Sequence, residues 1–181
     1  MTTYVYTIIA LPGSISSGAT SINDSGQIVG VFTNSSGDEP GFLYSNGIYT
    51  TIVPPGSSGA RLSDINNSGQ IIGSYGGSPN GQAIGFLDTD GVFTTIVPPG
   101  SFNTHPMSIN DSGQVIGYYS DSIGEHGFLY SAGTYTTLDI PYGKASLMSP
   151  TMSTIMDKLS AGLPRAALTH LAFSTAPVTI Q

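Results

Sequence analysis

The chain has 181 residues, no cysteine and a net charge of −7, from eleven acidic against four basic residues. Clustered Lys and Arg, which nucleic-acid phosphates and anionic lipid require, are absent, and so are disulfides and thiolate metal sites. Charged residues make up only 8% of the chain, against roughly 25% in an average soluble domain; Gly, Ser and Thr take their place. No apolar run reaches the roughly 18 residues of a membrane-spanning helix, so no membrane insertion is expected.

The N-terminal stretch MTTYVYTIIALPGS has no basic leader and reads poorly as a signal peptide. An internal repeat explains it better. SINDSGQIVG from Ser21, DINNSGQIIG from Asp64 and SINDSGQVIG from Ser108 are copies of one block, with Ile22, Ile65 and Ile109 spaced by 43 and 44 residues. A second block comes after each: GFLYSNGIYTTIVPPG from Gly41, GFLDTDGVFTTIVPPG from Gly85 and GFLYSAGTYTTLDIPYG from Gly127. YTIIALPG at Tyr6–Gly13 aligns with YTTIVPPG at Tyr49–Gly56. The chain thus starts with a spare last strand over residues 1–13, then three units at about 14–56, 57–100 and 101–143.

Each unit predicts four short strands. In the first unit these are Ala19–Asn23, Gln27–Thr33, Gly41–Ser45 and Ile48–Val53. Asp24-Ser25-Gly26 is a tight turn between the first two, since Asn, Asp and Gly accept positive φ and the first two bond their own backbone. Asn46-Gly47 and Asp90-Gly91 carry the type I′ hairpin signal. Pro-Pro-Gly closes the unit, because proline cannot continue a central strand.

Four antiparallel strands in about 43 residues match a β-propeller blade; three such units also match a β-trefoil. Apolar runs such as Ile28-Val29-Gly30-Val31-Phe32 suit strands covered on both faces, and a displaced first strand suits ring closure, so three propeller-like blades are expected. Three blades close no ring of the usual four to eight, which predicts self-association, as an oligomeric ring or an open stack.

Residues 144–181 change character. They hold three of the four basic residues, three of the five Met and one of the 24 Gly. Met152, Ile155, Met156, Leu159 and Leu163 fall at helical spacing, a second short helix over 165–173 comes after Pro164, and 178–180 reads as a strand. This tail is read as a cap over a blade edge or as an element of self-association.

The run S-I-N-D-S-G-Q-[IV]-[IV]-G, then H-G-F-L-Y-S-x-G, then T-T-[IL]-x-x-P resembles the bacterial HAF-type extracellular repeat, most closely at Glu125–Tyr130; Pro40 and Ile84 stand where the third unit has His126. The resemblance covers residues 1–143. It implies a secreted or surface-associated, propeller-like repeat protein and supplies no catalytic residue.

Nothing in the pattern carries catalysis or a cofactor. There is no G-x-S-x-G, phosphate loop or paired metal ligand, and His105, His126 and His170 are isolated in sequence. Asp24 and Asp111 recur with Asn67 between them, as turn residues rather than calcium ligands, and Asp88-Thr89-Asp90-Gly91 reads as a hairpin. Asn23, Asn66 and Asn110 recur, as do Gln27, Gln70 and Gln114. Amides repeated by symmetry both donate and accept, so these six are candidate glycan ligands, with Tyr44, Tyr118, Tyr119 and Tyr130 as stacking rings; the competing role is to satisfy the backbone of each turn. Asn34 is the most accessible N-x-[ST] acceptor. The sequence thus points to a non-enzymatic extracellular structural or interaction protein that homo-oligomerises, or to a lectin-like module with one weak site per repeat.

Overall fold

A computed structural model describes residues 8–76 and 81–138. The tail from residue 144, residues 1–7 of the spare strand and His170 lie outside the described residues. The fold is all-β. The first unit forms β1 (Ser16–Ile22), β2 (Ile28–Thr33), β3 (Gly41–Ser45) and β4 (Ile48–Ile52). The second forms β5 (Arg61–Ile65), β6 (Ile71–Gly76), β7 (Ala83–Thr89) and β8 (Val92–Ile96). The third forms β9 (Asn103–Ile109), β10 (Val115–Ser120), β11 (Glu125–Ser131) and β12 (Thr134–Thr137). Each unit is one four-stranded antiparallel meander in chain order. Among the described residues no ladder joins strands of different units, which is the pattern of separate blades.

β1 starts at Ser16, three residues before the sequence expectation, because the small polar run Ser16-Ser17-Gly18 ladders with Thr33, Phe32 and Val31. Each first strand then carries an extra residue at Thr20, Ser63 and Met107, where the register shifts. A bulge of this kind re-aims the residues after it. These three side chains share no chemistry, so the feature has no sequence signature.

The hairpins at Asn46-Gly47 and Asp90-Gly91 take positive φ at both residues, as type I′ turns require. So does Ala132-Gly133, with Ala132 at φ 48°. An alanine there is strained by roughly 1 kcal/mol. Ala132→Gly is therefore expected to raise stability by about 0.5 kcal/mol, read as a higher denaturant midpoint at unchanged slope.

The sheets stack face to face. β5 lies against β1, β2 and β3, and β9 lies against β5, β6 and β7. The apolar core is one interface made twice. Val29 and Ile52 of the first sheet meet Ile65, Ile71 and Phe86 of the second. Ile72 and Ile96 of the second meet Ile109, Val115 and Phe128 of the third. Position by position these are the same residues of the repeat.

Glycine makes the close packing possible. A Cβ on Gly30, Gly73 or Gly117 would fall 2.1–2.3 Å from the carbonyl oxygen of Gly18, Arg61 or His105 on the neighbouring first strand. A Cβ on Gly41 would meet Leu62, and one on Gly85 would meet Pro106, across the sheet-to-sheet contact.

The residues before the first unit obey the repeat as well. Ser14 donates from both its backbone N–H and its hydroxyl to the carbonyl of Leu11. Ser57 does the same to Pro54, and Ser101 to Pro98. Gly13, Gly56 and Gly100 share a φ of 80–84°. Residues 8–13 reproduce the end of a unit, though no strand is assigned within them.

Candidate functional site

The first turns of the three units gather at one end of the sheets, around a polar depression of about 210 Å³ lined by Asn23, Asp24, Asp64, Asn66, Asn67, Asn110 and Asp111. Each turn is built by its asparagine. Asn66 Oδ1 accepts from the backbone N–H of Ser68 (3.1 Å) and of Gln70 (2.9 Å), while Nδ2 donates to Gln70 Oε1 (2.8 Å) and to the carbonyl of Asn110 (3.0 Å). Asn23 does the same with Ser25, Gln27 and the carbonyl of Asn66. Asn110 Oδ1 holds Ser112 and Gln114, and its Nδ2 donates to Gln114 Oε1. All three asparagines are buried.

The amides expected as ligands thus lie together, and each asparagine has structural work inside the protein. Of the glutamines, Gln70 Nε2 also reaches the Thr89 hydroxyl at 3.3 Å.

A second ladder runs outside the first. The Asp24 backbone N–H donates to Asn67 Oδ1 (2.9 Å), and the Asn67 N–H to Asp111 Oδ1 (2.8 Å). Asn67 Nδ2 bridges the carboxylates of Asp24 (2.8 Å) and Asp111 (3.0 Å). The Asn in the middle copy is what lets two aspartates sit on either side of it: a third carboxylate would accept where a donor is needed.

In sequence Asp64 is only a variant of Ser21 and Ser108. In the structure it ties those two together. Its Oδ1 accepts from the Ser21 hydroxyl (2.6 Å) and its own neighbour's N–H at Ile65 (2.9 Å), and its Oδ2 from the Ser108 hydroxyl (2.9 Å) and the Ile109 N–H (3.0 Å). One acid flanked by two hydroxyls at the same repeat position is the signal that could have located it.

His105 and His126 do not meet. His105 pairs with Tyr118 and His126 with Tyr119, and adjacent residues of β10 face opposite ways. His105 stacks on Tyr118 at 4.8 Å, and His126 lies 5.1 Å from Tyr119 and 3.2 Å from Asp121. The Asp121 carboxylate is held below its usual range, chiefly by the N–H of Ile123. Burial pushes His105 below the ordinary imidazole range, with Glu125 opposing. Folded, His105 therefore binds fewer protons than when unfolded, so its contribution is complete above about pH 6.5 and lost as pH falls below it. Between about pH 7.5 and about pH 5.5 the wild type is expected to lose thermal stability that His105→Phe retains; equal losses in both would contradict this.

Asp88 is buried, and its Oδ1 accepts from the Gly91 N–H at 2.8 Å, closing the hairpin anticipated there. Burial raises its carboxyl above the usual range. Among the described residues no three His, Cys, Asp or Glu side chains are grouped to hold a metal ion, and no helix is long and apolar enough to cross a membrane.

A larger cleft, about 570 Å³, opens between the β2–β3 loop, the strand β5 approach, the end of β6 and β9. Asp38, Glu39, Arg61, Tyr75 and His105 line it, with Arg61 paired to Glu39 at 3.2 Å. Nothing in the sequence links these groups, because they come from three units.

No protein-family model matches the chain, and no curated protein does. Among solved structures it is similar to a fucose lectin from Kordia zhangzhouensis in complex with methyl-fucoside, at 16% identity and a TM-score of 0.42, over 71% of this chain and 99% of that one. Likeness this distant gives this chain neither a ligand nor a binding residue.

Proposed function

We propose that this chain is a non-enzymatic, extracellular structural or interaction protein of the HAF-type repeat kind, and that it self-associates through its stacked blades. The observation that carries the reading is the apolar interface made twice between successive sheets, from the same positions of the repeat. Three sheets stacked in this way bury their faces against one another, and the two outer faces carry the two different halves of that repeated interface. A repeat sheet is stabilised by a neighbour on such a face, and another copy of the chain supplies one. Molar mass by light scattering at micromolar concentration tests this: an oligomer is expected, and a well-folded monomer at every concentration overturns it.

A lectin-like module is the second reading, favoured by the 570 Å³ cleft. Carboxylates and a guanidinium bond paired hydroxyls, and Tyr75 and His105 offer ring faces to a sugar. A glycan panel probed with the wild type, Arg61→Ala and the Gln27→Ala/Gln70→Ala/Gln114→Ala triple variant separates the two locations. Loss in the first variant alone places the sugar in the cleft, loss in the triple alone places it at the turns, and no glycan bound by the wild type ends the reading.

A further inference from the structure

The three hairpins that join third and fourth strands are alike in backbone and differ in chemistry. Asn46-Gly47, Asp90-Gly91 and Ala132-Gly133 take φ values of 52° and 84°, 53° and 83°, and 48° and 82°. Ser45 pairs with Ile48 and Thr89 with Val92, which closes each ladder and leaves the two loop residues outside it. In the second unit the Gly91 N–H is nonetheless held, at 2.8 Å, by Oδ1 of the buried Asp88. The first unit has Tyr44 at that position, its ring against Tyr49 at 4.9 Å, and no carboxylate to offer Gly47. Among the described residues nothing accepts from the Gly47 N–H.

The side chain beside that N–H is equally unheld. Asn23, Asn34, Asn66, Asn67, Asn103 and Asn110 all have their amides hydrogen-bonded. Among the described residues Asn46 is the asparagine whose amide makes no hydrogen bond, and it is exposed to water. Glycine after it has no Cβ to screen its nitrogen or restrict its rotation.

We propose that Asn46 is a site of spontaneous modification, an intramolecular deamidation with water as co-reactant. The Gly47 nitrogen gives its proton to solvent base and attacks Cγ of Asn46. The N–Cγ bond forms, the Cγ–Nδ2 bond breaks, and Nδ2 takes a proton and leaves as ammonia. Water then opens the cyclic imide at either carbonyl. One opening leaves aspartate at position 46; the other routes the main chain through the side-chain carbon, as isoaspartate. The first product fits the turn, since Asp90 already holds φ 53° in the equivalent hairpin. The second lengthens a two-residue loop by one carbon, so the pairing of Ser45 with Ile48 must shift. Asp88, by holding the Gly91 nitrogen, protects the second hairpin from the same chemistry.

Peptide mapping by mass spectrometry, after prolonged incubation of the folded chain at mildly alkaline pH, tests this on the wild type, Asp90→Asn and Tyr44→Asp. Asp90→Asn gives the second hairpin the side chain of the first and leaves Asp88 in place. Asn80, which also precedes a glycine, lies outside the described residues and is mapped as a separate peptide. Position 46 is expected to convert in the wild type, to both products. Position 90 of Asp90→Asn is expected to lag it by about 10-fold or more, the factor that breaking one hydrogen bond to a carboxylate implies. Tyr44→Asp is expected to slow conversion at position 46 by a similar factor. An amide at position 46 that survives in the folded chain while it converts in the urea-unfolded chain overturns the site. Equal rates at positions 46 and 90 of Asp90→Asn overturn the protection by Asp88, whether or not Tyr44→Asp folds.

Discussion

Gly73→Ala is expected to be among the most damaging single-methyl changes in the chain, costing about 3 kcal/mol and lowering the melting temperature by about 10 °C. Gly73 stands on β6, opposite Phe86 on one side and Leu62 on the other. Its added Cβ would lie 2.3 Å from the Arg61 carbonyl oxygen and 3.1 Å from Leu62 Cα. Both are backbone atoms, so no side-chain rotation relieves the clash. β5 must move away from β6, and β5 is the strand that packs the second sheet onto the first. Gly76, three residues on, has no atom within 4 Å of its would-be Cβ and a φ open to any residue. Gly76→Ala is the control, expected within about 0.5 kcal/mol of wild type. Equal effects from the two variants, measured by chemical denaturation, would show that the strand contact is looser than described.

Asn66→Ala is expected to cost about 3 kcal/mol, because it removes four hydrogen bonds at about 0.5–1.5 kcal/mol each. It removes a buried amide that makes four hydrogen bonds, three within its own turn and one to Asn110 of the next unit. The donors that lose their acceptor are the N–H groups of Ser68 and Gln70. Asn66→Asp separates the two tasks. It keeps the acceptor for both N–H groups and places a carboxylate against the Asn110 carbonyl and Gln70 Oε1. A loss as large as that of Asn66→Ala would show that the contact between units matters as much as the turn. A variant close to wild type in denaturation would contradict any lateral role for the amide.

The strand content was legible in the sequence because period, turn residues and breaks recur three times and agree. The Asn46-Gly47 and Asp90-Gly91 hairpins were legible for a chemical reason, the φ their residues tolerate. The third hairpin was not, since Ala132 gives no such signal and takes its positive φ under the constraint of the strands on either side. The bulges at Thr20, Ser63 and Met107 were hidden because a bulge is set by register, not by side-chain type.

At the site, recurrence located Asn23, Asn66 and Asn110 and could not say why they recur. A residue repeated to bind a ligand and one repeated to brace a turn leave the same trace in sequence. The distances distinguish them, since all of the polar atoms of the Asn66 amide are used within the protein. Asp64 was hidden because its meaning lies in Ser21 and Ser108, 43 and 44 residues away. The contrast of the exposed Ile22 with the buried Ile65 and Ile109 was also invisible, because identical side chains differ only in whether a sheet lies in front of them.

Self-association turns on that contrast, and the absence of native cysteine makes it directly measurable. Ile22→Cys, Ile65→Cys and Ile109→Cys each carry one thiol, whose rate of modification by a soluble disulfide reagent reports its exposure. The thiols of Ile65→Cys and Ile109→Cys are expected to react at least about 100-fold more slowly than a free thiol at any protein concentration, opening only with local unfolding. The thiol of Ile22→Cys is expected to react freely in dilute solution and to become protected as concentration rises and another copy covers the first sheet. A thiol at position 22 that reacts at one rate throughout the dilution series, or one at position 65 that reacts as fast as it, would contradict self-association through the stacked sheets.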